Sequence, residues 1–253
     1  MQFEHKVAFV TGSASGIGRA TAIAFAVEGA RVVLVDRDGA GCAETLAAIT
    51  RARGQAMVLV TDVTLAKQVQ AAVDAAVAAW GTLDCAVNSA GVEGATRELL
   101  EEDEALYDRT MDINVHGVWL CMRAQIRQML LQTGGGTVVN ISSGAGLVGS
   151  ARSAIYGASK HAVIGLTRSA ALQYARRGVR VNVVCPSGVQ TPMAERIVAS
   201  FPGNPPSSGG GRYPLGRYSS PEEIASGILW LSSPGAASAI GSVLAIDAGF
   251  TAT

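Results

Sequence analysis

Seven short runs of nearly unbroken apolar residues, separated by longer alanine-rich stretches, limit this chain to very few architectures. The runs are 6–11 (KVAFVT), 31–36 (RVVLVD), 56–62 (AMVLVTD), 83–89 (LDCAVNS), 136–142 (GTVVNIS), 180–186 (RVNVVCP) and 242–247 (SVLAID). A strand with one wet face alternates apolar and polar residues. A strand without that alternation is covered on both faces, as in a parallel sheet with helices on either side. Helical segments are predicted between the runs, at about 16–29, 40–53, 65–80, 102–131, 155–177 and 221–232. Such alternation means βαβ units and a doubly wound α/β fold with a seven-stranded parallel sheet. Right-handed crossovers make the sheet grow outward both ways from its first strand.

Two segments break the rhythm. Residues 192–220 are dense in Gly, Pro and Ser and are read as a loop covering a ligand, with Phe201 and Gly209-Gly210-Gly211 closing over it. A shorter polar connection runs from Gly91 to Glu101. Both follow the carboxyl ends of strands, where open α/β sheets bind ligands. Neither divides the 253 residues, so 1–253 is read as one domain.

Composition narrows the function. Apolar residues make up 49% and charged residues 16%, with 20 basic and 20 acidic residues cancelling. That balance argues against nucleic-acid partners and against attraction to anionic membranes. Neither a spanning segment nor a signal peptide is evident, so a soluble cytoplasmic protein is expected. Cys42, Cys85, Cys121 and Cys185 are widely spaced and read as reduced structural thiols. With His5, His116 and His161 also scattered, neither a metal site nor a Ser-His-Asp triad is expected.

Directly after the first strand stands Thr11-Gly12-Ser13-Ala14-Ser15-Gly16-Ile17-Gly18, and then a helix begins. Glycines at this junction let a pyrophosphate approach the N–H groups at the positive end of the helix. Gly12, Ser15, Gly16, Ile17 and Gly18 are therefore candidate cofactor contacts, although the spacing is GxxxGxG and not GxGxxG. The second strand ends in Asp36, where a carboxylate accepts hydrogen bonds from the adenosine ribose and repels a 2′-phosphate. Arg37 follows and offers a 2′-phosphate a partner, but the glycine loop carries no basic residue. The balance favours NAD, with NADP as the alternative.

Tyr156-Gly157-Ala158-Ser159-Lys160 places a phenol and an ammonium one helical turn apart. A neighbouring cation favours the phenolate and is expected to lower the tyrosine pKa, making it a general acid–base for an alcohol or carbonyl oxygen. The small residues Ala154, Gly157, Ala158 and Ala162 describe a crowded, buried helix face around Lys160. Ser143, thirteen residues before Tyr156 at a strand end, is placed to hold the substrate oxygen, with Ser142 as the neighbouring candidate.

With these motifs in order, the chain resembles the short-chain dehydrogenase/reductase superfamily in its single-domain branch, whose fold is Rossmann-like. TGSASGIG matches the family's TGxxxGIG, and YGASK its YxxxK. Asp62-Val63 resembles the pair that holds the adenine, and Asn88-Ser89-Ala90-Gly91 is similar to the family's NNAG. The resemblance implies catalytic roles for Asn114, Ser143, Tyr156 and Lys160, with Asn114 orienting a water that links Lys160 to solvent. It implies cofactor contacts at Asp62, Val63, Asn88, Ala90 and Gly91, as well as Tyr156 and Lys160. Cys185-Pro186-Ser187-Gly188-Val189-Gln190-Thr191-Pro192-Met193 resembles PGxxxTPM, so Pro186, Val189 and Thr191 are expected at the nicotinamide. The tail Asp247-Ala248-Gly249-Phe250-Thr251 is similar to the family's DGG ending, at a subunit contact or the substrate pocket floor.

The implied activity is reversible hydride transfer between NAD(H) and a secondary alcohol or ketone. Ala145, Leu147, Val148, Ile155, Val189 and Met193 suggest an apolar, cyclic substrate, while Arg152 and Glu93 keep a polar one open. Alternatives are an NADPH-dependent carbonyl (3-oxoacyl-type) reductase and a dinucleotide-sensing protein without turnover. Small residues Ala158, Ala162, Gly165 and Ala170 on one helix predict a homodimer or homotetramer, the resemblance favouring the tetramer.

Overall fold

A computed structural model of the chain describes residues 1–200 and 213–252. Its strands are β1 (Val7–Thr11), β2 (Arg31–Asp36), β3 (Gln55–Val60), β4 (Cys85–Asn88), β5 (Gly136–Ile141), β6 (Val179–Pro186) and β7 (Val243–Ile246). They form one sheet in the order β3-β2-β1-β4-β5-β6-β7, and every neighbouring pair is parallel. The fold is the doubly wound one that the apolar runs imply.

The period of two along each strand explains why those runs are continuous. Val7, Phe9, Val33 and Val35 face one side, where they pack with α3 (Ala66–Trp80), α5 (Val118–Leu130) and α6 (Ala154–Tyr174). Ala8, Val10, Val32 and Leu34 face the other, against α1 (Gly16–Val27), α2 (Gly39–Arg51) and α8 (Pro221–Ser232). All four cysteines are buried and free.

Two departures from the expected helices concern the site. The predicted helix 102–131 is α4 (Glu104–Met111) and α5 joined by a π-helical turn, Asp112–Gly117. The segment read as a loop from 192 begins with a helix, α7 (Pro192–Ser200), whose start is fixed by the Thr191 hydroxyl accepting from the Ala194 amide at 3.2 Å. Proline at the first helical position costs no hydrogen bond, so Pro192 opens this helix. Phe201 and Gly209–Gly211 lie outside the described residues.

The carboxyl tail is folded around Asp247, which accepts from the Gly249 amide at 3.0 Å and the Thr251 amide at 2.9 Å. This turn holds Ala248 at φ 55°, a left-handed conformation that crowds a β-carbon. Ala248→Gly is expected to stabilise the fold by about 0.5–1 kcal/mol, the relief of the β-carbon exceeding the added entropy of the unfolded chain. Thermal unfolding should show a midpoint about 2 °C higher; a lower midpoint would contradict this account of the turn.

Candidate active site

β1 and β4 are adjacent, but their other neighbours lie on opposite sides, so the loops leaving their carboxyl ends diverge. The cleft they open has a volume of about 800 Å³ and contains most of the residues singled out from the sequence.

Its first end is built by glycines. The chain leaves Thr11 and turns through Gly12 at φ 69° and Gly16 at φ 53° into α1. A β-carbon on Gly18 would collide with the Gly12 carbonyl, and one on Gly12 would stand 2.8 Å from the Ala90 nitrogen. The Thr11 hydroxyl accepts from the Ser89 and Ala90 amides, both at 3.1 Å, clamping the β4 loop beside the glycine turn. No acidic residue occupies the first turn of α1, and Ser15 makes no side-chain cap. The orphan amides and positive end of the helix are left for an anion. Ser15, Gly16, Ile17 and Gly18 line the cleft here. Because a pyrophosphate needs both this close backbone approach and this uncompensated dipole, the site fits a dinucleotide.

Next to it stand Asp36, Arg37, Asp62 and Val63. Asp36 accepts from the Ala14 amide at 3.1 Å and the Asp38 amide at 3.0 Å, which fixes both oxygens and leaves each with spare lone pairs. Asp62 accepts from the amide and hydroxyl of Thr64 at 2.9 and 2.7 Å. These bonds, with the Arg37 charge as a smaller contribution, hold its carboxyl below the usual range.

Asn88 is a correction. Its side chain exchanges hydrogen bonds with Gln125 at 2.8 and 3.1 Å and donates to Asn140 at 2.9 Å, and Asn140 donates to Thr167 at 2.9 Å. This amide belongs to a buried network joining β4 and β5 to α5 and α6, while Ala90 and Gly91 line the cleft.

The other end is organised by α6. The Lys160 ammonium lies 5.6 Å from the Tyr156 ring centroid and donates to the Ile141 carbonyl at 3.2 Å. Burial pushes its pKa down to about 8. The Ser143 hydroxyl hydrogen-bonds Tyr156 and also accepts from the Ala145 amide at 3.2 Å. Ser142 instead donates to the Lys160 carbonyl at 2.8 Å, so it anchors the helix. The expected lowering of the tyrosine pKa by the ammonium does not occur. Burial raises the Tyr156 pKa, the Ser143 bond only opposes it, and the Glu93 charge raises it further. The physical reason is that the ammonium is turned to the Ile141 carbonyl and is itself disfavoured by the same dry surroundings.

The small residues around Lys160 do not all share its face. Gly157 is buried, but Ala158 is exposed. Ala158 and Gly165 lie on the outer face of α6 with Ala162 partly covered, whereas Ala170 packs into the core and drops out of the expected surface stripe.

Asn114 sits in the π-helical turn, fully buried. It accepts from the Val92 amide at 2.8 Å and donates to the Val92 carbonyl at 2.9 Å and the Ser159 hydroxyl at 3.1 Å. Both of its donors are thus committed to protein, which leaves only spare capacity on its oxygen for a water. A β-carbon on Gly91 would stand 3.1 Å from that oxygen and 3.5 Å from the Lys160 nitrogen, so this glycine keeps the space between them open.

Pro186, Val189 and Thr191 line the same cleft, as do Ala145, Val148 and Met193 of the predicted apolar wall. Leu147 packs into the core, and Ile155 faces a separate groove beside Leu99 and Tyr107. The sequence marks Glu93 only as a polar residue at the pocket, and it carries no signal for its partner Arg196 or for Tyr213. Glu93 and Arg196 form a two-pronged ion pair at 2.6 and 3.1 Å, and Ser200 donates to Thr96 at 3.0 Å, fastening α7 across the cleft. Tyr213 packs 5.4 Å from Tyr218 and 5.7 Å from Phe250, centroid to centroid, and its ring fills the space above Gly188. Among the described residues there is no cluster of metal-ligating side chains, and no helix is long and apolar enough to cross a membrane.

Residues 12–251 match the protein family described as enoyl-(acyl carrier protein) reductase. The chain is 42% identical to the cis-4-hydroxycyclohexanecarboxylate dehydrogenase of Sinomonas cyclohexanicum, over 99% of this chain and 98% of the relative. The crystal structure of levodione reductase superposes with a TM-score of 0.95 at 35% identity, covering 99% of both chains. Carveol dehydrogenase from Mycobacterium avium, in complex with NAD, gives 0.94 at 28% identity over 100% of this chain and 99% of that one.

Lys160 costs stability while it is charged. Its folded pKa of about 8 lies below the ordinary 10.5, so between those values the unfolded chain binds the extra proton and stability rises with pH. Urea unfolding of wild type and Lys160→Met should give a difference that moves in favour of wild type by about 2 kcal/mol from pH 8 to pH 10. A pH-independent difference would mean that the ammonium is solvated.

Proposed function

The chain belongs to the short-chain dehydrogenase/reductase family, and we propose that it transfers a hydride reversibly between NAD(H) and a secondary alcohol on an apolar ring, or the corresponding ketone. The observation that carries this reading is the meeting of Ser143, Tyr156 and Lys160 in the cleft whose far end is the Gly12–Gly18 turn. A dinucleotide-sensing protein has no use for that trio. Relatives and structural neighbours named as dehydrogenases and reductases support the same class.

The nicotinamide cofactor supplies the hydride chemistry when bound. Gly12, Ser15, Gly16, Ile17 and Gly18 would hold its pyrophosphate, Asp36 its ribose, and Asp62 and Val63 its adenine. Ala90, Gly91, Pro186, Val189 and Thr191 would hold its nicotinamide half. NAD is favoured over NADP because the Asp36 carboxylate opposes a 2′-phosphate.

Ser143 positions the substrate oxygen through its hydroxyl. In reduction the Tyr156 phenol gives its proton to that oxygen and is left as a phenolate; in oxidation the phenolate, once formed, takes the proton from the alcohol. A neutral phenol is the resting form that burial favours, so reduction starts with the proton already in place. Lys160 is poised near pH 8 to carry charge during the transfer, and Asn114 holds Val92 and Ser159 around it. The Glu93–Arg196 pair keeps α7 over the site, which gives this helix, the start of the 192–220 segment, the role of a cover in this reading. The chain acts as one unit, 1–253, in the cytoplasm. The exposed Ala158 and Gly165 on α6 support close packing with other copies, and a homotetramer is the form we favour.

Cyclic secondary alcohols offered with NAD should be oxidised, as followed by NADH absorbance. Tyr156→Phe should lower kcat by about 10²–10⁴ while NADH binding, read by fluorescence, changes little; retained turnover would remove the tyrosine from this role. Asp36→Ala should shift the ratio of kcat/KM for NAD over NADP at least about tenfold toward NADP, the loss of roughly one charge-assisted contact. An unchanged ratio would mean that another residue reads the ribose.

A further inference from the structure

Several charged residues of the cleft have a partner of opposite sign, and Asp36 and Lys160 are bonded to backbone groups. The Arg37 charge acts weakly on Asp62, and Arg196 is held by Glu93, with Arg109 contributing to the same carboxylate. Arg152 has no ion pair among the described residues. It is partly buried, lines the substrate end beside Val148 and Ser153, and its Nε is sealed from solvent with no hydrogen-bond partner. Its backbone, by contrast, is fixed: the Arg152 carbonyl accepts from the Arg97 amide at 2.9 Å, tying the turn before α6 to the segment after β4. Glu102, on the other side of that turn, accepts from the Ile155 amide at 3.3 Å and makes no ion pair with the guanidinium. A buried donor on a charged group without an acceptor is costly, and a guanidinium satisfies that need best with an oxyanion presented to its fork.

We propose that Arg152 is a specificity-determining residue that receives an oxyanion, a carboxylate or a sulfonate, carried by the substrate away from its reacting alcohol. This deepens the reading of the site as an alcohol dehydrogenase and rests on it. Arg152 precedes Tyr156 by four residues and shares its cleft, so one substrate can engage both: its alcohol at Ser143 and Tyr156, its anion at Arg152. The apolar surfaces of Val148, Val189 and Met193 are left for the ring between them.

The test separates binding from turnover. Calorimetry on the whole protein, with and without NADH, should show cyclohexanecarboxylate or cyclohexanesulfonate binding at least about tenfold tighter than neutral cyclohexanecarboxamide. The tighter of the two anions identifies the headgroup. Arg152→Met should abolish that preference, and Arg152→Lys, which keeps the charge but loses the fork, should retain part of it. In turnover, the preference in kcat/KM for 4-hydroxycyclohexanecarboxylate over its carboxamide should fall about 10–100-fold in Arg152→Met, with the loss in KM. Equal binding of anion and amide by wild type, or a preference surviving in Arg152→Met, would overturn the proposal. A binding preference without oxidation of any alcohol would leave Arg152 as the anion site and overturn the dehydrogenase reading instead.

Discussion

Right-handed crossover of parallel strands is the constraint on which the site depends. Because every connection must cross in the same sense, helices reach both faces of the sheet only if the winding reverses once. Here it reverses between β1 and β4. That reversal separates the loops after those strands and brings the start of α1, the Ala90–Gly91 segment, the end of β5 and the first turn of α6 to one edge. The Gly12–Gly18 turn and the side chains of Ser143, Tyr156 and Lys160, more than a hundred residues apart in the chain, thereby come to line one cleft.

Within that frame, polar groups are buried only where they hold something in register. The Asn88–Gln125–Asn140–Thr167 network fastens two central strands to α5 and α6. Asn114 pins Val92 to α6 through Ser159, and Ser142 pins the Lys160 carbonyl to the end of β5. In a dry interior each of these bonds is expensive to break, so the helix carrying Tyr156 and Lys160 has little freedom to shift. The ammonium pays for that rigidity with a depressed pKa.

Strands and the glycine turn were legible because their signals are local. Val7 to Thr11 must be covered on both faces, and Gly12 and Gly18 admit no side chain, whatever else the chain does. The spacing of Tyr156 and Lys160 was legible for the same reason. Asn88 was not: a polar residue at a strand end can turn toward the cleft or the core, and its partners Gln125 and Asn140 are known only once the sheet is assembled. The Glu93–Arg196 pair spans 103 residues and leaves no pattern. The helix α7 was obscured by the Gly-, Pro- and Ser-rich residues that follow it, although Thr191-Pro192 is a helix start. The direction of the Tyr156 pKa was misread because sequence shows that a cation is near, but not where it points.

That misreading bears on how the site works. A phenol that burial keeps protonated and an ammonium whose pKa burial lowers to about 8 are two groups pushed toward their uncharged forms by one cause. Neither change in charge is favourable alone. A substrate oxygen at Ser143 and a cationic ring bound in the same cleft would alter the field at both groups at once. Burial alone therefore leaves the bare site with a phenol that holds its proton more tightly than a solvated tyrosine does.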